Sequence, residues 1–114
     1  MKLNFEVDLL PEVVEFLEGL DGKVREKIYY NMRKAQMITD NELFKKLNDD
    51  IWEFRTLYNS KAYRLFSFWD ISAEKRTLVI VTHGILKKTQ KTPQKEIKKA
   101  ENIKKGYFKY KLKK

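Results

Sequence analysis

From Lys2 to Val7 the chain alternates polar and apolar residues, the period of a strand with one covered face. Beyond it Leu10, Val13, Val14, Leu17 and Leu20 recur at helical spacing, and Pro11 suits a first helical turn. Gly19 and Asp21-Gly22 punctuate. A second helix runs from about Lys23 to Met37 with Val24, Ile28, Met32 and Ala35 on one stripe, so the two segments predict a helical hairpin. Thr39-Asp40 opens a loop or short helical turn that reaches about Asp50. The period then changes. Ile51–Tyr58, Ala62–Trp69 and Thr77–His83 are rich in β-branched and aromatic residues and predict three strands. Asn59-Ser60 is short enough for a hairpin turn, and Ile71–Arg76 gives a longer one. Leu78 to Val81 is apolar at every position, which suits a central strand or one covered on both faces.

Thr92-Pro93 predicts the start of a final helix, with Thr as cap and Pro at the first helical position. The capping box is incomplete, because Lys95 stands where its Glu belongs and Glu96 follows. Ile97, Ala100, Ile103, Tyr107, Phe108 and Tyr110 share one broad side of this helix; Lys95, Lys98, Lys105 and Lys109 share the other. The helix should dock on the body and show its lysines to solvent or a partner. The order is β-α-α-β-β-β-α, a single α+β domain over residues 1–114 without internal repeats.

Composition agrees: 42% hydrophobic and 13% aromatic residues can build a core. There is no cysteine, so neither a disulfide nor a thiolate metal site can form, and a reducing cytoplasm is the expected location. Met1 leads straight into the first strand, so no secretory leader is expected, and the Leu78–Val81 run is too short to cross a bilayer. Charge changes the picture more. Residues 1–84 hold 13 Lys/Arg and 14 Asp/Glu, a net of −1, whereas residues 85–114 hold 12 Lys and 2 Glu, a net of +10. The whole excess lies in the last quarter, which favours a polyanionic partner, nucleic acid above membrane lipid.

Several chemistries find no support. The four glycines make no phosphate loop, and one histidine without cysteine argues against zinc. A Ser-His-Asp arrangement stays open, although nothing marks a particular serine as activated. The strands say more. Period two puts Glu53 and Arg55 on one face, Arg64 lies mid-way along the neighbouring strand, and the hairpin brings it near Arg55. His83 is expected at the end of the third strand, with Lys87 and Lys88 in the loop after it. Taken singly, each of these is the ordinary solvated face of a sheet or a packing histidine. Together they suit RNA cleavage by its own 2′-hydroxyl. That reaction needs cations at the phosphate oxygens, which arginine supplies through a planar, permanently charged fork, and proton carriers such as histidine. No carboxylate cluster suggests a metal-dependent nuclease.

The stretches IWEFRTLYNSKAYRLFSFWD and VTHGILKKTQKTPQKEIKKA carry, in order, W-E-[FL]-R, Y-R-[LV], H-G-[FIL]-x-K-K and K-T-P before a basic helix. This combination resembles the RelE/HigB-type toxins of type II toxin–antitoxin systems, and more narrowly their phage-derived, HigB-like branch. The resemblance implies a RelE-like microbial RNase-type fold, a twisted antiparallel sheet on a helical hairpin with a basic C-terminal helix. It also implies an endoribonuclease (mRNA interferase) that cuts messenger RNA on the ribosome without metal or cofactor. The implied partners are messenger RNA, the ribosome and a cognate antitoxin of helix-turn-helix type, with no membrane. By position it implies Arg55, Arg64, His83, Lys87 and Lys88 as catalytic or substrate-binding groups. The RNA-binding lysines are expected to be Lys91, Lys95, Lys98 and Lys105. Glu53 stands where some relatives carry lysine, and it is read as an ion-pair partner of Arg55 or Arg64, or as a proton acceptor. Arg64→Ala is expected to abolish toxicity and leave the fold intact. The rival readings are a ParE-like inhibitor of DNA gyrase and a non-catalytic or inactive phage-derived nucleic-acid-binding protein.

Overall fold

The computed structural model describes residues 3–72, 78–88 and 91–112. The elements run β1 (Glu6–Leu9), α1 (Pro11–Glu18), α2 (Gly22–Met37), β2 (Phe44–Lys46), β3 (Trp52–Tyr58), β4 (Lys61–Asp70), β5 (Leu78–Lys87) and α3 (Gln94–Leu112). One five-stranded sheet has the order β1-β5-β4-β3-β2. The ladders from β2 to β5 are antiparallel, as expected, while β1 adds itself to β5 in parallel. The sheet is therefore mixed at one edge, and the fold is the α+β class read from the sequence.

Two apolar layers hold it. Val13 and Leu17 of α1 and Val24, Ile28, Met32 and Ala35 of α2 pack on one sheet face with Phe54, Tyr63, Leu65, Val79 and Val81. Ile97 and Ala100 of α3 pack on the other face with Ile51, Phe66, Phe68 and Ile80. Residues of Leu78–Val81 thus alternate between two covered faces, the physical reason for their unbroken apolar run. The Arg25 guanidinium ties the hairpin by donating to the Leu17 and Leu20 carbonyls at 3.3 Å where α1 ends.

Some elements differ from the sequence reading. Lys2, residues 73–76 of the expected long turn, and Thr77 lie outside the described residues. The first strand begins later than expected, at Glu6, because its ladder is set by β5 through Glu6↔Leu78 to Leu9↔Val81. The loop after Thr39 contains a strand, β2, which pairs Phe44, Lys45 and Lys46 with Phe54, Glu53 and Trp52. The Asn59-Ser60 turn holds both residues at positive φ, 50° and 63°, the geometry of a two-residue type I′ hairpin. His83 does not end its strand: β5 continues to Lys87 because β4 is long enough to pair with it as far as Ala62↔Lys87. Gly84 is required there, since a Cβ would lie 2.5 Å from Phe16 Cδ2 and 2.7 Å from Leu65 Cδ2. On α3, Tyr110 is exposed. No helix among the described residues is long and apolar enough to cross a membrane.

Candidate active site

Cross-strand register builds the site. Arg55 lies directly opposite Arg64, which lies opposite Ile85; one step along the same face Glu53 lies opposite Phe66, which lies opposite His83. At the β4 end Ala62 faces Lys87, and at the outer edge Lys45 faces Glu53. Strand periodicity then puts Lys45, Glu53, Arg55, Arg64, His83 and Lys87 on the face that α3 covers in part.

His83 reaches that face through a bulge. Phe66 pairs with His83 but Ser67 pairs with Val81, leaving Thr82 as an extra residue in β5. An unbroken alternation from Val79 and Val81 would aim His83 at α1. The inserted residue reverses the phase and delivers the imidazole beside Phe66, with ring centroids 4.8 Å apart and 18° between planes.

Glu53 is the hub of the charged row. Its carboxylate is 2% exposed and lies 3.6 Å from Arg64 Nε and 3.7 Å from Arg55 Nε. These distances are ion-pair contacts, longer than hydrogen bonds. Both Nε–H groups are buried without a hydrogen-bond partner among the described residues. Arg64 Nη1 donates to the Tyr63 carbonyl at 3.1 Å and Arg55 Nη1 to the Asn41 carbonyl at 3.4 Å. Thr92 Oγ1 donates to Glu53 Oε1 at 3.3 Å, so the residue expected as a helix cap instead ties the start of α3 to this cluster. Like charges directly opposite in a sheet repel. One carboxylate among two guanidiniums and the Lys87 ammonium leaves a local excess of positive charge. Burial, reinforced by Arg64 and Arg55 and opposed by Glu53, holds Lys87 below the usual lysine range; burial also lowers Arg64. Such a patch fits an anion with several acceptor oxygens, such as a phosphodiester.

His83 lies under α3 and is 2% exposed. Nε2 contacts Glu96 Oε1 at 3.1 Å and Nδ1 contacts Thr82 Oγ1 at 2.9 Å. Burial pushes its pKa down, against the opposing pull of the Glu96 hydrogen bond, so the neutral ring is favoured. The imidazole shares a face with Arg55 and Arg64 as the sequence reading required, but it sits in the covered row and not at an open edge. Arg64 is likewise buried, so Arg64→Ala would remove packing as well as charge and strip Glu53 of a cation.

The lysines of α3 divide into two sets. Lys99 pairs with Glu12, Lys104 with Asp50 at 2.9 Å and Lys111 with the fully buried Asp70 at 2.7 Å, pinning the helix to the body. Burial would raise the Asp70 carboxyl, but hydrogen bonds from Lys111, Ser72 and Tyr107 outweigh it and hold it well below the usual range. Lys95, Lys98, Lys105 and Lys109 are exposed on one stripe, and Lys91 is exposed just before the helix. Lys88 follows the end of β5 and is exposed, outside the ladder that gathers the other cations.

Sequence reading missed Lys45, Thr82, Thr92 and Glu96 as members of this neighbourhood. Lys45 depends on a three-residue strand too short to show a period, and Thr82 on the bulge. Thr92 and Glu96 were visible only as capping candidates, Thr92 standing just before α3 and Glu96 in its first turn. Among the described residues no cluster of three or more His, Cys, Asp or Glu is arranged to hold a metal ion. The family model for phage-derived protein Gp49-like (DUF891) matches residues 15–105. No curated protein matches the chain.

Proposed function

Since the chain belongs to the phage-derived Gp49-like family, we propose that it is the toxin of a toxin–antitoxin module and cuts messenger RNA on the translating ribosome. The observation that carries this reading is the Arg55–Arg64 cross-strand pair, two cations placed directly opposite each other and only partly offset by one buried carboxylate. A fold gains nothing from such a pair by itself. A phosphodiester bound there accepts hydrogen bonds from both guanidiniums and relieves their repulsion.

In this reading the 2′-hydroxyl attacks the adjacent phosphorus, and Arg55 and Arg64 stabilise charge that grows on the non-bridging oxygens. Lys87, on the same face, gives a proton to the leaving 5′-oxygen; its lowered pKa makes the ammonium a better acid. The products are a 2′,3′-cyclic phosphate and a 5′-hydroxyl. The positive side chains supply the charge stabilisation that a metal ion supplies in other nucleases. Lys91, Lys95, Lys98 and Lys105, with Lys88 beside the strand end, extend the positive surface over which messenger and ribosomal RNA would lie. A helix-turn-helix antitoxin encoded beside the gene would neutralise the chain by covering this face.

Induction of the isolated gene, with mapping of messenger 5′ ends, tests the proposal. New ends at defined positions within codons, arising only in translated messages, are the expected result. Arrested growth with intact messages and altered DNA supercoiling would overturn it in favour of gyrase inhibition. Association with RNA and no new ends would leave a binding protein.

A further inference from the structure

We propose that Glu96 is the proton acceptor for the RNA 2′-hydroxyl and that His83, instead of carrying that proton, is the residue that positions it. This rests on the nuclease reading above and assigns the one role that reading leaves open.

Three observations converge. First, Thr92, two residues before α3 begins, is bonded to Glu53 in the arginine cluster, and Glu96 in the first turn of α3 is bonded to His83. The first turn of α3 therefore sets the Glu96 carboxylate over the His83–Phe66–Glu53 row, one row from Arg55 and Arg64. Adjacent rows on one face are about 7 Å apart, the reach of a ribose and its 3′-phosphate. Second, the imidazole is closed off. It is 2% exposed, stacked on Phe66, and engaged at both nitrogens, whereas the Glu96 side chain is 18% exposed. Substrate can touch the carboxylate but not the ring. Third, the hydrogen-bond roles fit a neutral ring. The Thr82 hydroxyl has one proton for two acceptors, His83 Nδ1 at 2.9 Å and the Phe66 carbonyl at 3.2 Å. Given to Nδ1, that proton leaves Nε2–H to donate to Glu96 Oε1, which fixes the orientation of the carboxylate.

The step balances. A Glu96 carboxylate oxygen takes the 2′-hydroxyl proton, the 2′-oxygen bonds to phosphorus, and the phosphorus–O5′ bond breaks. Its electron pair leaves on O5′, which takes a proton from Lys87. Solvent then reprotonates Lys87 and deprotonates Glu96. Glu96 contacts His83 on β5, and the other charged groups that act on that ring are Lys99 on α3 and Glu12 at the start of α1, in opposite directions; Lys87, Arg64, Glu53 and Arg55 lie on the same sheet face.

The test uses the full chain, an RNA it cuts, and kcat and KM measured across pH for wild type, Glu96→Gln, Glu96→Asp and His83→Gln. Wild type should lose rate toward acid as a carboxylate protonates. Glu96→Gln should lower kcat by about 10²- to 10⁴-fold with KM little changed, and should remove that acid limb. Glu96→Asp should keep the limb at a reduced rate. His83→Gln, whose amide can still donate to Glu96, should stay within about tenfold of wild type and also keep the limb. A Glu96→Gln protein that cuts at the wild-type rate overturns the assignment while leaving the nuclease reading intact. So does a His83→Gln protein that loses as much as Glu96→Gln together with the acid limb. If wild type cuts no RNA, the nuclease reading falls first and takes this assignment with it. Phosphate affinity, measured on each variant, separates a misfolded site from an idle one: Glu96→Gln should bind as wild type does, and loss of binding in Glu96→Asp and Glu96→Gln alike would mark Glu96 as structural and overturn the role.

Discussion

Replacing Glu53 with glutamine removes the one carboxylate that, among the described residues, contacts both Arg55 and Arg64, and the consequence can be worked from the distances. At 3.6 and 3.7 Å, and with an effective dielectric of about 20, each ion pair is worth roughly 4–5 kcal/mol before desolvation is counted. Desolvation of the buried ions cancels much of that. Breaking a buried pair by removing one partner costs about 3–5 kcal/mol, because the remaining charges stay buried and unbalanced. A domain of this size has about 5–15 kcal/mol of stability, so Glu53→Gln should remain folded but be visibly weakened. Phosphate should then take the place of the carboxylate. At ten times its dissociation constant it should restore about 1.4 kcal/mol. The assay is urea unfolding of wild type and Glu53→Gln in chloride and in phosphate at equal ionic strength. Adding Arg64→Gln to Glu53→Gln should recover part of the loss by removing one of two facing cations. If Glu53→Gln were as stable as wild type in chloride, or indifferent to phosphate, the cluster would not be the anion site described here.

Three further outcomes follow from other parts of the molecule. Lys95, Lys98 and Lys105 are exposed on one stripe; changing all three to glutamine should flatten the salt dependence of single-stranded RNA binding by about 2 in log–log slope, and an unchanged slope would remove the stripe from the interface. Gly84→Ala should destabilise by about 1–3 kcal/mol in a denaturant titration, because the new methyl group meets Phe16 and Leu65; adding Phe16→Leu should return part of the loss, and strict additivity would contradict the contact. His83 is the sole histidine and burial lowers its pKa, so its stabilising effect is complete above the unfolded value of about 6.5 and is lost as pH falls through the folded value. Wild type should therefore weaken as pH falls below about 6.5 while His83→Asn stays nearly level, and parallel curves would show that the ring is not held neutral.

The sequence was legible wherever one local period governed. The helical hairpin, the three long strands, the turn at Asn59-Ser60 and the basic last helix all follow from spacing that a single element imposes. Arg55 and Arg64 were readable as neighbours because a two-residue turn fixes the register between their strands. What could not be read was set by pairing between distant segments. The ladder with β4 extends β5 beyond His83, β2 exists only against β3, and β1 takes its limits from β5. The bulge at Thr82 is the sharpest case. A strict two-residue period puts His83 on the hairpin side of the sheet, and only the extra residue turns it toward Arg64 and Glu96. The lysines of α3 show the same limit: a helical wheel separates a basic side from an apolar one, but not the lysines that pin the helix from those that face outward. Glu96 was passed over because its partner His83 was assigned to an open edge.

The central claim is that Arg55 and Arg64 hold a phosphodiester which the RNA's own 2′-hydroxyl then attacks. Its most direct test is to incubate the purified chain with ribosomes translating a defined message and to determine the chemistry of the new ends by mass spectrometry, beside the Arg64→Gln variant. The account predicts 2′,3′-cyclic phosphate and 5′-hydroxyl ends, formed about 10²- to 10³-fold more slowly by Arg64→Gln. Intact message, ends bearing a 5′-phosphate, or an Arg64→Gln protein that cuts at the wild-type rate would contradict it.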